Sequence, residues 1–304
     1  MAQSLSRFSR QFKAMGSPCE LHIYAKNKKA FEQIAEFLLA DIMRLEHKYS
    51  RYKDDSFLSA INRVAELGGE LVVDDETARL LDYAFTCYQQ SDGLFDITSG
   101  KLREIWRFNQ ADFRLPTADE IENALQAIGL KKVLWRNPVL KFLAPDMELD
   151  FGGIVKEYAA DRMAGLAKTQ GYEHGLVNLG GDIKIIGPHP DDTPWQIGIR
   201  DPLNPNTVCQ TVLLKQGALA SSGDYERCVF INSTRYSHIL NPKTGWPVNY
   251  FSAVTVMSQH CVLAGSAATI AMLKEQAGSD WLTQLTLPHL WIDIQGQQGG
   301  SLLN

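Results

Sequence analysis

His238 is the residue of this sequence best placed for proton transfer. It stands in SHIL at 237–240, directly before NPKTG at 241–245, a Pro/Gly stretch that cannot continue a strand. The imidazole is thus expected at a strand end, between a serine and a tight turn. His is half charged near neutral pH when unperturbed, which suits a general acid or base. Upstream lie two hydroxyls, Ser221 and Ser222, with Gly223 and Asp224, then a strand-like CVFI run at 228–231 that turns at Asn232 and Ser233. A second candidate centre is LDFGGIVK at 149–156, with Asp150 before Gly152 and Gly153 and Lys156 after them. A glycine pair at a strand-to-helix junction lets backbone approach a ligand, the helix N-terminus favours anionic oxygens, and Lys156 could neutralise phosphate. Neither pattern is specific alone. A single His near a turn is more often a hydrogen-bonded surface residue, and the glycine pair falls short of phosphate-loop spacing.

The elements that must position these groups can be read from periodicity. Residues 19–24 alternate as a strand, preceded by MGSP at 15–18. Residues 28–48 carry Phe31, Ile34, Leu38, Ile42 and Leu45 at helical spacing, a face for core packing. Tyr52 follows in YSRY and reads on these grounds as an ordinary half-buried aromatic. A helix over 76–90 ends at SDG, and LFDITSG follows at 94–100. There Asp96 sits between apolar neighbours and needs partners, either a ligand or the next helix, which it could cap. Thr117 and Glu120 form a capping-box pair for a helix that Gly129 closes. Residues 132–135 and 139–143 suggest a hairpin around Asn137 and Pro138. A helix should run from the glycine pair to Gly171, and 175–183 reads as a buried strand entering a glycine turn. Further strands are expected at 195–200, 211–214, 229–231 and 253–257, and a close-packed helix of small apolar residues at 262–274.

The 304 residues suit one large domain, and 45% apolar with 21% charged residues is ordinary for a globular chain. A formal net charge of −5 gives no electrostatic case for nucleic acid. No apolar stretch approaches the roughly 20 residues a membrane helix needs. The first 14 residues lack the apolar region of a secretory signal, and Cys19 lacks a lipidation context. Five scattered cysteines suggest neither a disulfide framework nor a zinc site. These features point to a cytoplasmic setting, with 1–14 a flexible segment, 15–290 a single domain and 291–304 a frayed tail.

The segments SSGDYER (221–227), RYSHILNPKTG (235–245), LDFGGIVKEYAADR (149–162) and VNLGGDI (177–183) together resemble the FAD:protein FMN transferases, the ApbE-like flavinyltransferases. That family binds FAD and moves its FMN half onto a Ser or Thr hydroxyl of a partner protein. The resemblance is collinear from Met15 to about Leu273. It implies an α+β, T-fold-like architecture of mixed, mostly antiparallel sheets covered by helices, and strands that come in short pairs as well as before helices agree. It implies that Met15, Tyr52, Leu94, Phe95, Asp96, Asp150, Lys156, Ser222 and Leu240 hold FAD. His238 would deprotonate or position the acceptor hydroxyl, and Mg²⁺ would sit near Gly153 and Thr269. One departure bears on the metal. Where the family has a carboxylate in A-D-A-x-x-T, this chain reads AGSAAT at 264–269, with Gly265 in its place, and Glu157 stands where the family commonly has Gly. Metal binding should then be weaker, or another carboxylate, Asp150 or Glu157, must supply the charge. Two alternatives follow: a non-catalytic FAD-binding protein, or an FAD hydrolase that makes FMN and AMP.

Overall fold

A computed structural model of the chain describes residues 4–108, 113–204, 206–224, 228–232 and 234–303. Tyr225, Glu226 and Arg227 of the SSGDYER motif and Ser233 lie outside the described residues. The chain opens with a hairpin of β1 (Ser6–Ala14) and β2 (Ser17–Ala25), followed by α1 (Lys28–Lys48), α2 (Phe57–Leu67), β3 (Glu70–Val72) and α3 (Asp75–Gln90). Next come α4 (Leu102–Ile105), α5 (Ala118–Ala127), β4 (Val133–Arg136), β5 (Val139–Phe142) and α6 (Val155–Thr169). Then follow β6 (Gly175–Leu179), β7 (Asp182–Gly187), β8 (Trp195–Arg200), β9 (Val208–Leu214), β10 (Ala218–Gly223), β11 (Cys228–Ile231) and β12 (Thr234–Ser237). The chain ends with β13 (Phe251–Ser258), α7 (Cys261–Lys274), α8 (Gly278–Gln284), β14 (His289–Asp293) and β15 (Gln298–Gly299).

The architecture is α+β. An eight-stranded sheet in the order β1-β2-β6-β7-β10-β13-β14-β15 is antiparallel at every pairing. Its central strands are buried on both faces, so they read as apolar runs rather than as alternation. In β6 and β7, Val177, Leu179 and Ile186 face a core shared with α1, α6 and α7. Leu176, Ile183 and Ile185 face the opposite way, onto Trp195, Ile197 and Ile199 of the β8–β9 ribbon. A satellite cluster of Leu102, Trp106 and Ile128 packs with Phe113, Tyr236 and Leu240, and the Trp106 indole donates to the Gly245 carbonyl at 2.8 Å.

Both chain ends differ from expectation. Ser6–Ala14 is a strand paired along its whole length with β2, not a flexible segment. Its Phe8 and Phe12 alternate onto one face, and Phe8 stacks on Phe31 at 5.5 Å. The stretch expected to fray is likewise tied down as far as it is described, over 291–303: β14 and β15 pair, the Leu302 amide donates to the His289 carbonyl at 3.0 Å, and Leu302 packs on the ribbon core.

Two devices set the site. The β1–β2 turn has Met15 at φ +50° and Gly16 at φ +72°, a two-residue turn whose twist matches the strands and which holds Met15 at the hairpin tip. On the helix side, the Asp161 carboxylate of α6 accepts the Cys261 and Val262 amides at 2.8 and 2.9 Å, satisfying the free N–H groups that open α7. Glu157, one turn before Asp161, abuts Gly265, one turn after Cys261, so the two helices run antiparallel.

Candidate active site

The glycine pair sits where an extended segment, not a strand, enters α6. Glu148 makes a single parallel bridge to Ser99, and the Asp150 amide donates to the Ile97 carbonyl at 2.8 Å, so the 94–100 turn lies alongside 148–153. Within that turn Asp96 is buried, and its carboxylate accepts the Thr98 amide (2.8 Å), the Thr98 hydroxyl (2.6 Å) and the Leu130 amide (3.0 Å). Burial pushes its pKa up, and these donors offset only part of the rise. Asp96 thus anchors its own turn. Phe95 lies under Gly153, where a Cβ would stand 3.3 Å from the ring, and Leu94 is half-buried beside it. Asp150 accepts from Arg103 Nε (2.8 Å), Arg51 (3.3 Å) and the Gly152 amide (2.7 Å). Burial works against its charge, yet Arg103 and Arg51 hold its carboxyl below the usual range. Next to Arg51, Tyr52 is 80% exposed, with the guanidinium carbon 5.8 Å from its ring centroid. It is a free aromatic face, not the half-buried residue its pattern suggested.

Lys156, on the first turn of α6, forms an ion pair with Asp182 at 2.6 Å. Asp182 is 1% exposed, so the pair is deep. Burial opposes the lysine charge, but Asp182 and then Glu157 outweigh it and raise the pKa. Gly180, at φ +64°, brings the β6–β7 turn against the first hairpin. A Cβ there would stand 2.7 Å from Ser17 Cβ and 3.9 Å from Lys156 Nζ. Only glycine meets both the backbone angle and that contact. The hairpin tip with Met15, the glycine turn and the head of α6 therefore meet.

Behind Lys156, Glu157 is 7% exposed, and its Oε2 has no hydrogen-bond partner among the described residues. Burial first, and then the neighbouring Asp182 carboxylate, raise its pKa well above the usual carboxylate range. On α7, a Cβ at Gly265 would stand 2.5 Å from Glu157 Cγ and 3.0 Å from Cδ and Oε1. One turn further, the Thr269 hydroxyl lies 3.4 Å from that of Ser222 on β10.

His238 is half-buried immediately after β12, as its neighbours suggested. The turn beyond it is closed by amides of Asn241 and Gly245 donating to the Trp246 and Asn241 carbonyls, each at 2.8 Å. Leu240 bridges to Pro247 and packs in the aromatic satellite cluster. The β11–β12 hairpin is pinned to the main sheet by an ion pair of Arg235 with Asp224, and Arg235 also donates to Ser252 at 3.1 Å. Asp224 is 1% exposed, and burial raises its pKa to about 6 despite Arg235.

A sequence model described as the ApbE family matches residues 15–291, nearly the whole chain. The chain belongs to the ApbE family. It is 31% identical to the FAD:protein FMN transferase of Vibrio cholerae over 234 residues, 75% of this chain and 70% of that protein. It is 27% identical to the protein of that name from Haemophilus influenzae, over 81% of this chain and 73% of that one. Among solved structures, it resembles the ApbE protein of Thermotoga maritima, with a TM-score of 0.88 and 32% identity over 97% of both chains. A flavinyl transferase ApbE from Pseudomonas stutzeri gives 0.85 and 26% over 97% of this chain and 93% of that one.

Membership in the ApbE family raises the question of Mg²⁺. Among the described residues no three His, Cys, Asp or Glu side chains gather as a metal group. The donors present are oxygens, the carboxylate of Glu157 with its unpartnered Oε2 and the hydroxyl of Thr269. That set suits a hard cation which keeps several waters and needs only one or two carboxylates beside substrate phosphates. The residues fit the ion. Reading the sequence passed over Asp182, the partner of Lys156, and Arg51 and Arg103, the partners of Asp150. The signal for Asp182 was a carboxylate opening a strand whose other residues, Lys184 aside, are Ile and Gly, which demands a buried counter-charge. A cavity of about 380 Å³ lined by Tyr24, Tyr172 and His174 lies at the far end of α6, apart from this site.

Proposed function

We propose that the chain is an FAD:protein FMN transferase, moving FMN from FAD to a Ser or Thr hydroxyl of an acceptor protein. The observation that carries this reading is the ApbE match over residues 15–291 on a fold that superposes on a solved ApbE protein end to end. The exposed Tyr52 ring offers a stacking face for the isoalloxazine. Met15 at the hairpin tip closes over the same nucleotide, and Leu94 and Phe95 supply an apolar floor beside the glycine pair. Asp96 and Asp150 act by holding the 94–100 and 148–153 loops in place, since protein donors already engage their oxygens. Lys156 presents its charge from the ion pair with Asp182. Ser222 and Leu240 line the opposite wall.

In the reaction, the acceptor hydroxyl oxygen attacks the phosphorus of the FMN half. The bond from that phosphorus to the bridging oxygen breaks, and AMP leaves with that oxygen. His238 accepts the hydroxyl proton, for which its place at a strand end beside a rigid turn is suited. Mg²⁺, held by Glu157, Thr269 and the backbone near Gly153, would supply charge neutralisation at the diphosphate.

The test combines the protein, FAD, Mg²⁺ and a flavoprotein acceptor domain carrying a Ser or Thr flavinylation site. The expected result is covalent flavin fluorescence on the acceptor with AMP released one for one. Free FMN and AMP with an unlabelled acceptor would make the chain a hydrolase. Bound but intact FAD would make it a carrier.

A further inference from the structure

We propose that Glu157 is the carboxylate ligand of a divalent cation site in this chain, and that Gly265 is glycine because Glu157 fills its place. The proposal rests on the transferase reading for the identity of the nucleotide that shares the site, but its argument is steric and electrostatic.

A carboxylate that is 7% exposed, with an unpartnered oxygen and the Asp182 carboxylate beside it, is costly as an ion unless a cation or a proton meets it. Glu157 has Lys156 next to it in sequence, but the ammonium of Lys156 is committed to Asp182 at 2.6 Å. On the α7 side the carboxyl carbon lies against bare glycine backbone, and any side chain at 265 would overlap it, at 2.5 Å from Cγ and 3.0 Å from Cδ. Atoms of real proteins do not approach so closely, so with Glu157 in this rotamer α7 has no room for a side chain at 265. The Asp161 cap fixes the antiparallel register of the two helices and so makes these positions face one another. Thr269 lies one turn along α7 from Gly265, on the same side, and adds a hydroxyl beside Ser222. The charge that completes the site therefore comes from α6 and projects into space vacated on α7.

The experiment titrates Mn²⁺, followed by the loss of its free-ion EPR signal, into four proteins with FAD present: wild type, E157Q, E157G and the exchanged E157G/G265D. Wild type should bind one Mn²⁺ displaceable by Mg²⁺. E157Q, which keeps the shape and removes the charge, should bind at least about tenfold more weakly, the loss that altering even the outer-shell partners of metal ligands brings. E157G should bind as weakly, and adding G265D to it should recover most of the affinity. Wild-type affinity in E157Q, no cation binding in wild type, or no recovery in the exchanged protein would each overturn the proposal. Quenching of FAD fluorescence without metal is measured alongside. Loss of FAD binding in wild type would refute the transferase reading. Intact FAD binding with Mn²⁺ affinity indifferent to Glu157 would refute this inference alone.

Discussion

Replacing Lys156 by Met separates a lysine that serves the fold from one that serves the ligand. Met preserves most of the apolar stem and removes the ammonium, leaving the Asp182 carboxylate 1% exposed without the partner it has at 2.6 Å. Lys156 meets Asp182 at Oδ2; at Oδ1 the Ser221 amide donates at 3.3 Å, and Glu157 adds a second acidic group nearby. Breaking a buried pair from one side costs about 3–5 kcal/mol, because the remaining charge keeps its desolvation penalty and loses its compensation. At about 2.1 cal/mol/K of unfolding entropy per residue, a chain of this length loses roughly 1.5 °C for each kcal/mol. The Tm of K156M should therefore fall by about 5–8 °C at pH 7.5.

The double variant K156M/D182N, which removes both charges, should recover most of the loss. Calorimetry at pH 7.5 provides the measurement. A K156M protein within about 1 kcal/mol of wild type at pH 7.5 would show that the pair contributes little, and the reasoning from burial would fail.

His238→Ala should abolish flavin transfer while leaving FAD quenching and Tm near wild type; transfer at the wild-type rate would remove His238 from the chemistry. Tyr52→Ala removes an 80% exposed ring and should leave Tm unchanged, while the Kd for FAD from fluorescence titration rises about 2- to 13-fold, the worth of one aromatic stack. Glu76, hydrogen-bonded to Arg44 and Lys48 at 2.8 to 2.9 Å, has its pKa lowered to about 2: burial raises it, and the two cations more than reverse that. A lowered carboxylate pKa adds stability above the unfolded value and loses it as pH falls from about 4.5 to 2. E76Q should thus be less stable than wild type at pH 7, by about 1 kcal/mol after solvent screening, and equal to it near pH 2 by denaturant unfolding.

The legible parts of the fold were those that local rules decide. The helix over 28–48 has its face of Phe31, Ile34, Leu38, Ile42 and Leu45 buried as spaced, and Thr117 and Glu120 make the reciprocal bonds their spacing implies. The position of His238 between a strand and a closed turn was equally local. What sequence could not reveal were pairings across long separations: Lys156 of α6 with Asp182 of β7, Asp161 with the start of a helix a hundred residues on, and Arg51 with Glu148. Each joins groups whose meeting depends on sheet order. The chain ends were misjudged for a different reason. Basic residues in SRFSRQFKA masked the alternation of Phe8, Phe12 and Ala14, and the glycines near the end masked the short β15.

Gly265 shows how the same limit shapes a functional reading. Taken by itself, a glycine where the family resemblance implies an acid signals a lost metal ligand and a protein retired from catalysis. Taken with its neighbour, the same glycine is a steric requirement. Glu157 Cγ stands 2.5 Å from where a Cβ would be, so the acid on one helix and the bare backbone on the other are two halves of one arrangement. Adding a side chain at 265 while Glu157 remains should overpack a region where α6 and α7 are both buried, at a cost of about 1–3 kcal/mol. The gain in helix propensity on leaving glycine offsets about 1 kcal/mol of that. With Glu157 shortened to glycine the clash disappears and only the gain is left. Gly265→Ala should therefore destabilise the wild-type background and stabilise the E157G background. That reversal of sign, measured by Tm alone and with no metal or flavin present, follows only if the two positions compete for one volume. If the substitution had the same effect in both backgrounds, 157 and 265 would be independent, and the glycine would be a loss after all.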